Sequence, residues 1–346
     1  MAFTDILHRL VAEGIVPGVF SVLSFIPTIA VMIFFLSLFR ECGILRGTAA
    51  HLIMGFSCSV PAILSCSGIP DRKQRFLTMM MIPYMSCSAK LPIYAMMASM
   101  FFPRHPYIAV GGIYALGVLI TLSVFSAAKL GALPPACSCP SYSPSYSPSH
   151  SPSCKGHAFT SPGRPKKRRA LHRPSMRRIL DDVRDCCIGF AKKAFTVILA
   201  ASVIIWILQN LNTSFHFTPD IEDSLLAHLG RLTAPLLEPL GFGDWRASAA
   251  LITGLSAKEA VVSTFAVIAG SAEGPALCMM LEEIFSPLSA FCFMVFCLLY
   301  MPCIATLAAM KSVTGRLTVS LAVMAGQTAF AWLLSFLIFH LIKVII

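Results

Sequence analysis

The chain has 346 residues, 56% of them hydrophobic and only 12% charged, and carries a formal net charge of +11. Soluble domains carry about 25% charged residues, so this composition excludes an ordinary water-soluble domain and describes an integral membrane protein. No phosphate loop, G-x-G-x-x-G, H-E-x-x-H or G-x-S-x-G signature occurs in the sequence, so no enzyme is expected.

In chain order, Phe3 to Glu13 reads as a short amphipathic helix at the interface. No cleavable signal peptide is expected, because the apolar run that follows begins near Ile15 and is too long for one. Crossing a bilayer takes about 20 residues. Uncharged stretches longer than this are Ile15 to Phe39, Gly47 to Pro70, His105 to Ala128, Ala194 to Pro219, Ile284 to Met310 and Leu317 to Ile342. Phe76 to Phe102 and Ala247 to Ala269 join them if Lys90 and the pair Lys258-Glu259 are accepted inside. The expected fold is all-α and polytopic, with about eight apolar segments.

Leu133 to about Arg173 repeats Ser-Pro and cannot bury a core, so 133–175 reads as a disordered basic linker between two units, 1–132 and 176–346. Cys137, Cys139, His150 and Cys154 could meet a metal there transiently, but no C-x-x-C pair exists and a solvated tether is the better reading. Lys155 to Lys193 holds 12 Lys or Arg and 3 Asp, a local +9. Beside membrane segments, such a block marks the cytoplasmic side and attracts anionic lipid; nucleic acid is not an expected partner. Met176 to Lys193 should lie along the membrane surface and lead into a span from Ala194 to Leu211. Asp220, Glu222 and Asp223 are expected to cap a short interfacial helix that Pro239 and Gly241 end.

The most informative stretch is Gly55 to Met97. Two apolar segments flank the polar island Asp71 to Arg75, and Pro61, Pro83 and Pro92 puncture them. Proline removes a backbone donor and clashes with the preceding turn. Broken backbone at membrane depth is tolerated only against protein or a water-filled cavity. The design occurs twice, as an inverted repeat. Tyr84-Met85-Ser86-Cys87-Ser88-Ala89-Lys90-Leu91 and Tyr300-Met301-Pro302-Cys303-Ile304-Ala305-Thr306-Leu307 share Y-M-x-C-x-A-x-L, and Gly55-Phe56-Ser57 matches Gly254-Leu255-Ser256 upstream. Interrupted hydrophobic segments at corresponding places in two halves point to a transport site.

Cys58, Cys87 and Cys303 stand at the breaks, with Met85 and Met301 two residues before a Cys. Thiolate and thioether suit soft or borderline cations such as Fe2+, Zn2+ or Cu+. Packing is the competing role, since buried free Cys behaves as a small hydrophobe; Cys66, Cys292 and Cys297 are the weakest candidates. Charges inside a bilayer are costly and face a cavity or a partner. Glu259 could bind a cation or take a proton; Lys258, and Lys90 paired with Glu259, could instead tie the repeats together. Pro61 and Pro302 set the breaks and are candidate gating positions.

These residues carry a resemblance to a known family. Gly14-Ile15-Val16-Pro17-Gly18-Val19 through Ser24-Phe25-Ile26-Pro27, Gly55-Phe56-Ser57-Cys58-Ser59-Val60-Pro61-Ala62 and Met85-Ser86-Cys87-Ser88-Ala89-Lys90-Leu91-Pro92 resemble the membrane, or gate, part of ferrous iron transport protein B. So do Gly241-Phe242-Gly243-Asp244-Trp245, Ala257-Lys258-Glu259 and Tyr300-Met301-Pro302-Cys303-Ile304-Ala305-Thr306. Ser59 stands where that family has Asn, and Lys90 where it has Arg. The resemblance implies passage of Fe2+ across the inner membrane into the cytoplasm, with no permanently bound cofactor. It implies cargo binding by Cys58 and Cys303, with Cys87, Met85, Met301 and Glu259 nearby. Family members normally begin with a GTP-binding domain, and none precedes Met1, so a separate GTPase subunit is the expected partner. A homo-oligomer is a further expectation. A nucleoside-like or spore-maturation-like cargo, or a truncated non-transporting chain, are the alternatives.

Overall fold

The computed structural model describes residue 8 and residues 10–41, 48–129, 176–213, 216–218, 220–270, 274–300 and 302–345. The Ser-Pro linker and most of the N-terminal amphipathic segment lie outside the described residues. Among the described residues the chain is helical with no strand; one isolated bridge pairs Leu211 with Phe217.

A π-helical turn, Leu10–Ile15, leads into α1, Val16–Glu41. Next come α2 (Thr48–Ser57), α3 (Ser59–Ser65), α4 (Arg72–Met81), α5 (Leu91–Phe101) and α6 (Pro106–Lys129). The second unit holds α7 (Met176–Asn210), α8 (Leu225–Leu237), α9 (Trp245–Thr253), α10 (Ala260–Ile268) and α11 (Pro275–Ile284). It ends with α12 (Pro287–Leu299), α13 (Ile304–Thr314) and α14 (Leu317–Ile345). Among the described residues, three stretches are long and apolar enough to cross a membrane: Pro106–Ala127, Pro287–Thr314 and Leu317–Val344. The middle stretch is not one helix, because α12 ends at Leu299 and α13 starts at Ile304. The expected breaks are present in both units, and the punctured segments are built from short half-helices.

Two sequence expectations change. Met176 to Leu211 was expected to divide into a surface helix and a span. Instead α7 runs unbroken for 35 residues, about 52 Å at 1.5 Å per residue. The segment contains no proline, so nothing in the backbone stops it. The cap of α8 is Ser224, not an acidic residue: its Oγ accepts from the Ala227 amide at 3.1 Å, while Ile221–Asp223 form a preceding 3-10 turn. Ser is as good a cap as Asp because its short side chain also reaches the N3 amide. The end of α8 is as expected. A 3-10 turn through Pro239 stops at Gly241, whose φ of 88° is left-handed. A Cβ there would stand 2.2 Å from the Phe339 ring, so glycine serves both conformation and packing.

Helix α1 packs along α7, α12 along α14, and α3 against α13. Two cores result. One is aromatic, with Tyr94, Phe242, Phe265, Phe285 and Phe293 buried together and the four phenylalanine rings edge-on or tilted at 5.0–6.5 Å. The other, smaller core is aliphatic and sulfur-rich: Met54, Ile63, Cys66 and Met79 from the first unit meet Ala305, Ala309 and Met310 from the second. Gln327 in α14 donates to Met80 O at 3.1 Å and joins the units again.

Candidate functional site

The first break falls at Cys58. Pro61 has no N–H to give the Ser57 carbonyl four residues back, so the helix cannot run through. The chain responds with Cys58 in an extended conformation, φ −153° and ψ 128°, as the N-cap of α3. Ser88 Oγ donates to the freed Ser57 carbonyl at 2.9 Å. Ser88 comes from the neighbouring break, where a 3-10 turn, Ile82–Tyr84, gives way to extended Met85 and Cys87 before Ser88–Lys90 and α5. Gly55 lets the two segments close: a Cβ there would lie 3.2 Å from Met85 Cβ.

The second break repeats this plan. Asp244 caps α9 by accepting from the Arg246 amide at 2.7 Å. The helix ends at Gly254, where a Cβ would lie 2.6 Å from the Tyr300 hydroxyl oxygen. Tyr300 and Cys303 are extended, with ψ of 163° and 158°, and Cys303 is the N-cap of α13. The Ile304 amide donates to Leu255 O at 2.8 Å, the counterpart of the Ser88 contact. Cys303 Sγ and Thr306 Oγ1 are 3.2 Å apart.

Helices α3 and α13 therefore start at a cysteine each, and they pack on one another. Cys58 and Cys303 border the same sulfur-rich core. Cys58 has Cys303, Cys87 and Glu259 among its ionisable neighbours, and Cys87 has Lys90, Cys303 and Lys258. The structure thus gathers Cys58, Cys87, Cys303, Glu259, Lys90 and Lys258 around one place. Met85 is buried beside Gly55, Pro61 and Pro302 are at the breaks, and Met301 lies outside the described residues. The three gate cysteines are half-buried free thiols, whereas Cys66, Cys292 and Cys297 are fully buried. Among the described residues, no three His, Cys, Asp or Glu side chains are close enough to form a metal site, so the gate thiols are neighbours rather than a closed coordination shell.

The two lysines are handled differently from the expectation. Lys90 is buried, and its ammonium donates to Leu298 O at 2.6 Å and to Pro83 O at 3.3 Å, in place of the Glu259 carboxylate. The reason is again a proline. Pro302 cannot donate to Leu298 four residues back, so that carbonyl at the end of α12 needs another donor, and helix C-termini also favour a cation. Lys258, equally buried, sits 3.2 Å from the centroid of the Tyr300 ring, a cation–π contact of the kind that strengthens when desolvated. The Leu298 carbonyl and Thr306 are the site members that sequence reasoning missed. The i,i+3 spacing of Cys303 and Thr306 could have found the second.

A family model described as "Gate: Nucleoside recognition" matches residues 191–317. The chain is 32% identical to the Fe(2+) transporter FeoB of Staphylococcus aureus (strain COL), over 89% of this chain and 45% of that protein. It is 33% identical to the Fe(2+) transporter FeoB of Methanocaldococcus jannaschii, over 89% and 46%. It is 28% identical to the Fe(2+) transport protein A/Fe(2+) transporter FeoB fusion protein of Porphyromonas gingivalis, over 96% and 44%. The chain thus spans about half the length of the curated relatives it matches, as their 44–46% coverage states. No solved structure matches it significantly. Over nearly its whole length, the chain is thus similar to about half of each of these Fe(2+) transporter FeoB proteins.

Proposed function

We propose that the chain conducts Fe2+ across a membrane as the permease part of a FeoB-like system. The carrying observation is the meeting of Cys58 and Cys303, one from each repeat, at the N-caps of two packed half-helices. Fe2+ must shed water to pass at membrane depth, and sulfur ligands compensate better than hydroxyls for a borderline cation. The helix N-termini here favour negative charge and would repel a bare cation, so it is the thiols, with Glu259 beside them, that make the place suitable for one. The lysines add positive charge, but a carbonyl pair and a ring face absorb it.

Transport then requires α3 and α13 to move relative to one another, drawing the thiols round the ion and opening the site to either side in turn. Lys90 is the tie such a movement has to stretch. With this reading go a multi-pass location in the inner membrane, a cytoplasmic Lys155 to Lys193 block, no catalytic activity in these segments, and regulation by a GTPase partner. The fusion relative supports a second partner, of the Fe(2+) transport protein A type. A nucleoside cargo is suggested by the family model's description alone, and the named relatives favour iron.

The test is anaerobic uptake of Fe2+ into proteoliposomes of the purified chain, with and without a candidate GTPase. Uptake that Cys58→Ser and Cys303→Ser abolish supports the reading. Uptake equal to that of empty liposomes in both conditions, or uptake indifferent to both substitutions, contradicts it.

A further inference from the structure

The two gate cysteines hold the same place in their half-helices but not the same neighbour. Cys58 is the N-cap of α3 and Cys303 the N-cap of α13. Three residues on, in the first turn, stands Pro61 in one and Thr306 in the other. Proline offers neither a hydroxyl nor an N–H, so nothing at that position can hold the Cys58 sulfur; its polar neighbour in the first turn is the Val60 backbone. Thr306 does offer a hydroxyl, and its Oγ1 is 3.2 Å from Cys303 Sγ.

The hydroxyl goes to the sulfur because of its place in the helix. A threonine inside a helix commonly bonds back to the carbonyl four residues earlier. Thr78, Thr121, Thr264 and Thr314 do so, to Gln74, Gly117, Ala260 and Met310, at 2.7–2.8 Å. For Thr306 the residue four back is Pro302, outside the helix. Thr306 is only 1% exposed, and a buried hydroxyl left unpaired is costly. Among the described residues its hydroxyl is partnered by the Cys303 sulfur. Either atom can donate while both carry a proton. A sulfur that binds a cation has lost its proton, so it can then only accept, and the Thr306 O–H becomes the donor. A hydrogen bond to a charged acceptor is roughly twice as strong as a neutral one.

We infer that Thr306 is a positioning residue of the gate: its hydroxyl presets the Cys303 sulfur for the cargo cation and stays on it once the cation is bound, so the two gate thiols are unequal. The assignment rests on the reading of Cys58 and Cys303 as ligands of Fe2+. Thr306 does not touch the ion. It orients a ligand and tunes its sulfur, as the outer partners of metal ligands do.

The experiment is anaerobic titration of the full chain in nanodiscs with Fe2+, and with Co2+ for its thiolate absorption. Thr306→Val keeps the shape and removes the hydroxyl; it should weaken Fe2+ binding about 10-fold or more, the usual loss when an outer partner is removed. Thr306→Ser keeps the hydroxyl and should bind as the parent does. The Co2+ thiolate band should move to longer wavelength in Thr306→Val, because a sulfur without its donor gives up electron density more readily. The loss of affinity should persist in a Cys58→Ala chain and vanish in a Cys303→Ala chain, as expected of two residues that act together. If Thr306→Val does not fold, Thr306→Ala takes its place. The proposal is overturned if the hydroxyl-free variant binds as the parent does, if Thr306→Ser is as weak as Thr306→Val, or if the loss survives in the Cys303→Ala chain. Binding indifferent to both Cys58→Ala and Cys303→Ala, or no binding by the parent, overturns the gate reading and the role of Thr306 with it.

Discussion

In the first gate the carbonyl freed by Pro61 accepts from a side chain, Ser88 Oγ, while in the second the Leu255 carbonyl accepts from a backbone amide, that of Ile304. The residues three places after each second-segment cysteine differ more. Lys90 leaves its own repeat and caps the end of α12, whereas its counterpart Thr306 turns back to Cys303. The glycines diverge as well: Gly55 is merely close to Met85, but Gly254 is pressed against Tyr300 and Val261. The second gate is a tight, self-contained unit. The first is held partly through side chains and by a tie to the second. When two related elements must move against each other, the one fastened by replaceable side-chain contacts is the one whose geometry can change.

Substitutions can break this contrast. The largest effect belongs to the shared site: Cys58→Ser or Cys303→Ser should reduce Fe2+ affinity by about 10-fold or more, given that Ser is a harder and poorer ligand, as read by anaerobic titration. Equal binding by both variants would make the cysteines packing residues.

Next is Lys90→Met, which leaves the buried carbonyls of Leu298 and Pro83 without their donor. A buried acceptor left unpaired costs about 1–3 kcal/mol, so thermal unfolding in detergent should drop clearly. Lys90→Arg should recover most of it. A Lys90→Met protein as stable as the parent would show that water caps these carbonyls and that no tie exists.

Gly254→Ala should then cost about 1–3 kcal/mol by overpacking, because its Cβ would lie 2.6 Å from both Tyr300 Oη and Val261 Cγ2. Gly55→Ala should cost less: its contacts of 3.2 and 3.3 Å are looser, and up to about 1 kcal/mol of helix propensity offsets part of the crowding. Equal melting shifts for the two would erase the difference between the gates. The smallest change is Ser88→Ala against Thr306→Val. Each loses about 1 kcal/mol or less of net hydrogen bonding, but only Ser88→Ala should loosen the first break, seen as faster amide exchange at Cys58 and Ser59.

The breaks themselves were legible, because proline acts locally and its consequence four residues upstream follows from sequence alone. The gathering of Cys58, Cys87 and Cys303 was legible through the repeat. The destination of Lys90 was not. Leu298 lies 208 residues away, and a backbone carbonyl has no residue type to betray it; only the pairing of Pro302 with an orphaned acceptor identifies it afterwards. The cap of α8 is hidden by its neighbours: Ser224 follows acidic residues that are the more conspicuous candidates. The change of polarity along α7 suggests two elements, but composition changes along a helix without ending it.

The central claim is that thiols from both repeats bind the cargo together. X-ray absorption at the iron edge, on the chain loaded anaerobically with one Fe2+, tests it most directly. Sulfur scattering that diminishes with Cys58→Ser, diminishes likewise with Cys303→Ser, and falls furthest with both is the predicted result. An oxygen and nitrogen shell that is the same in all four proteins would contradict it.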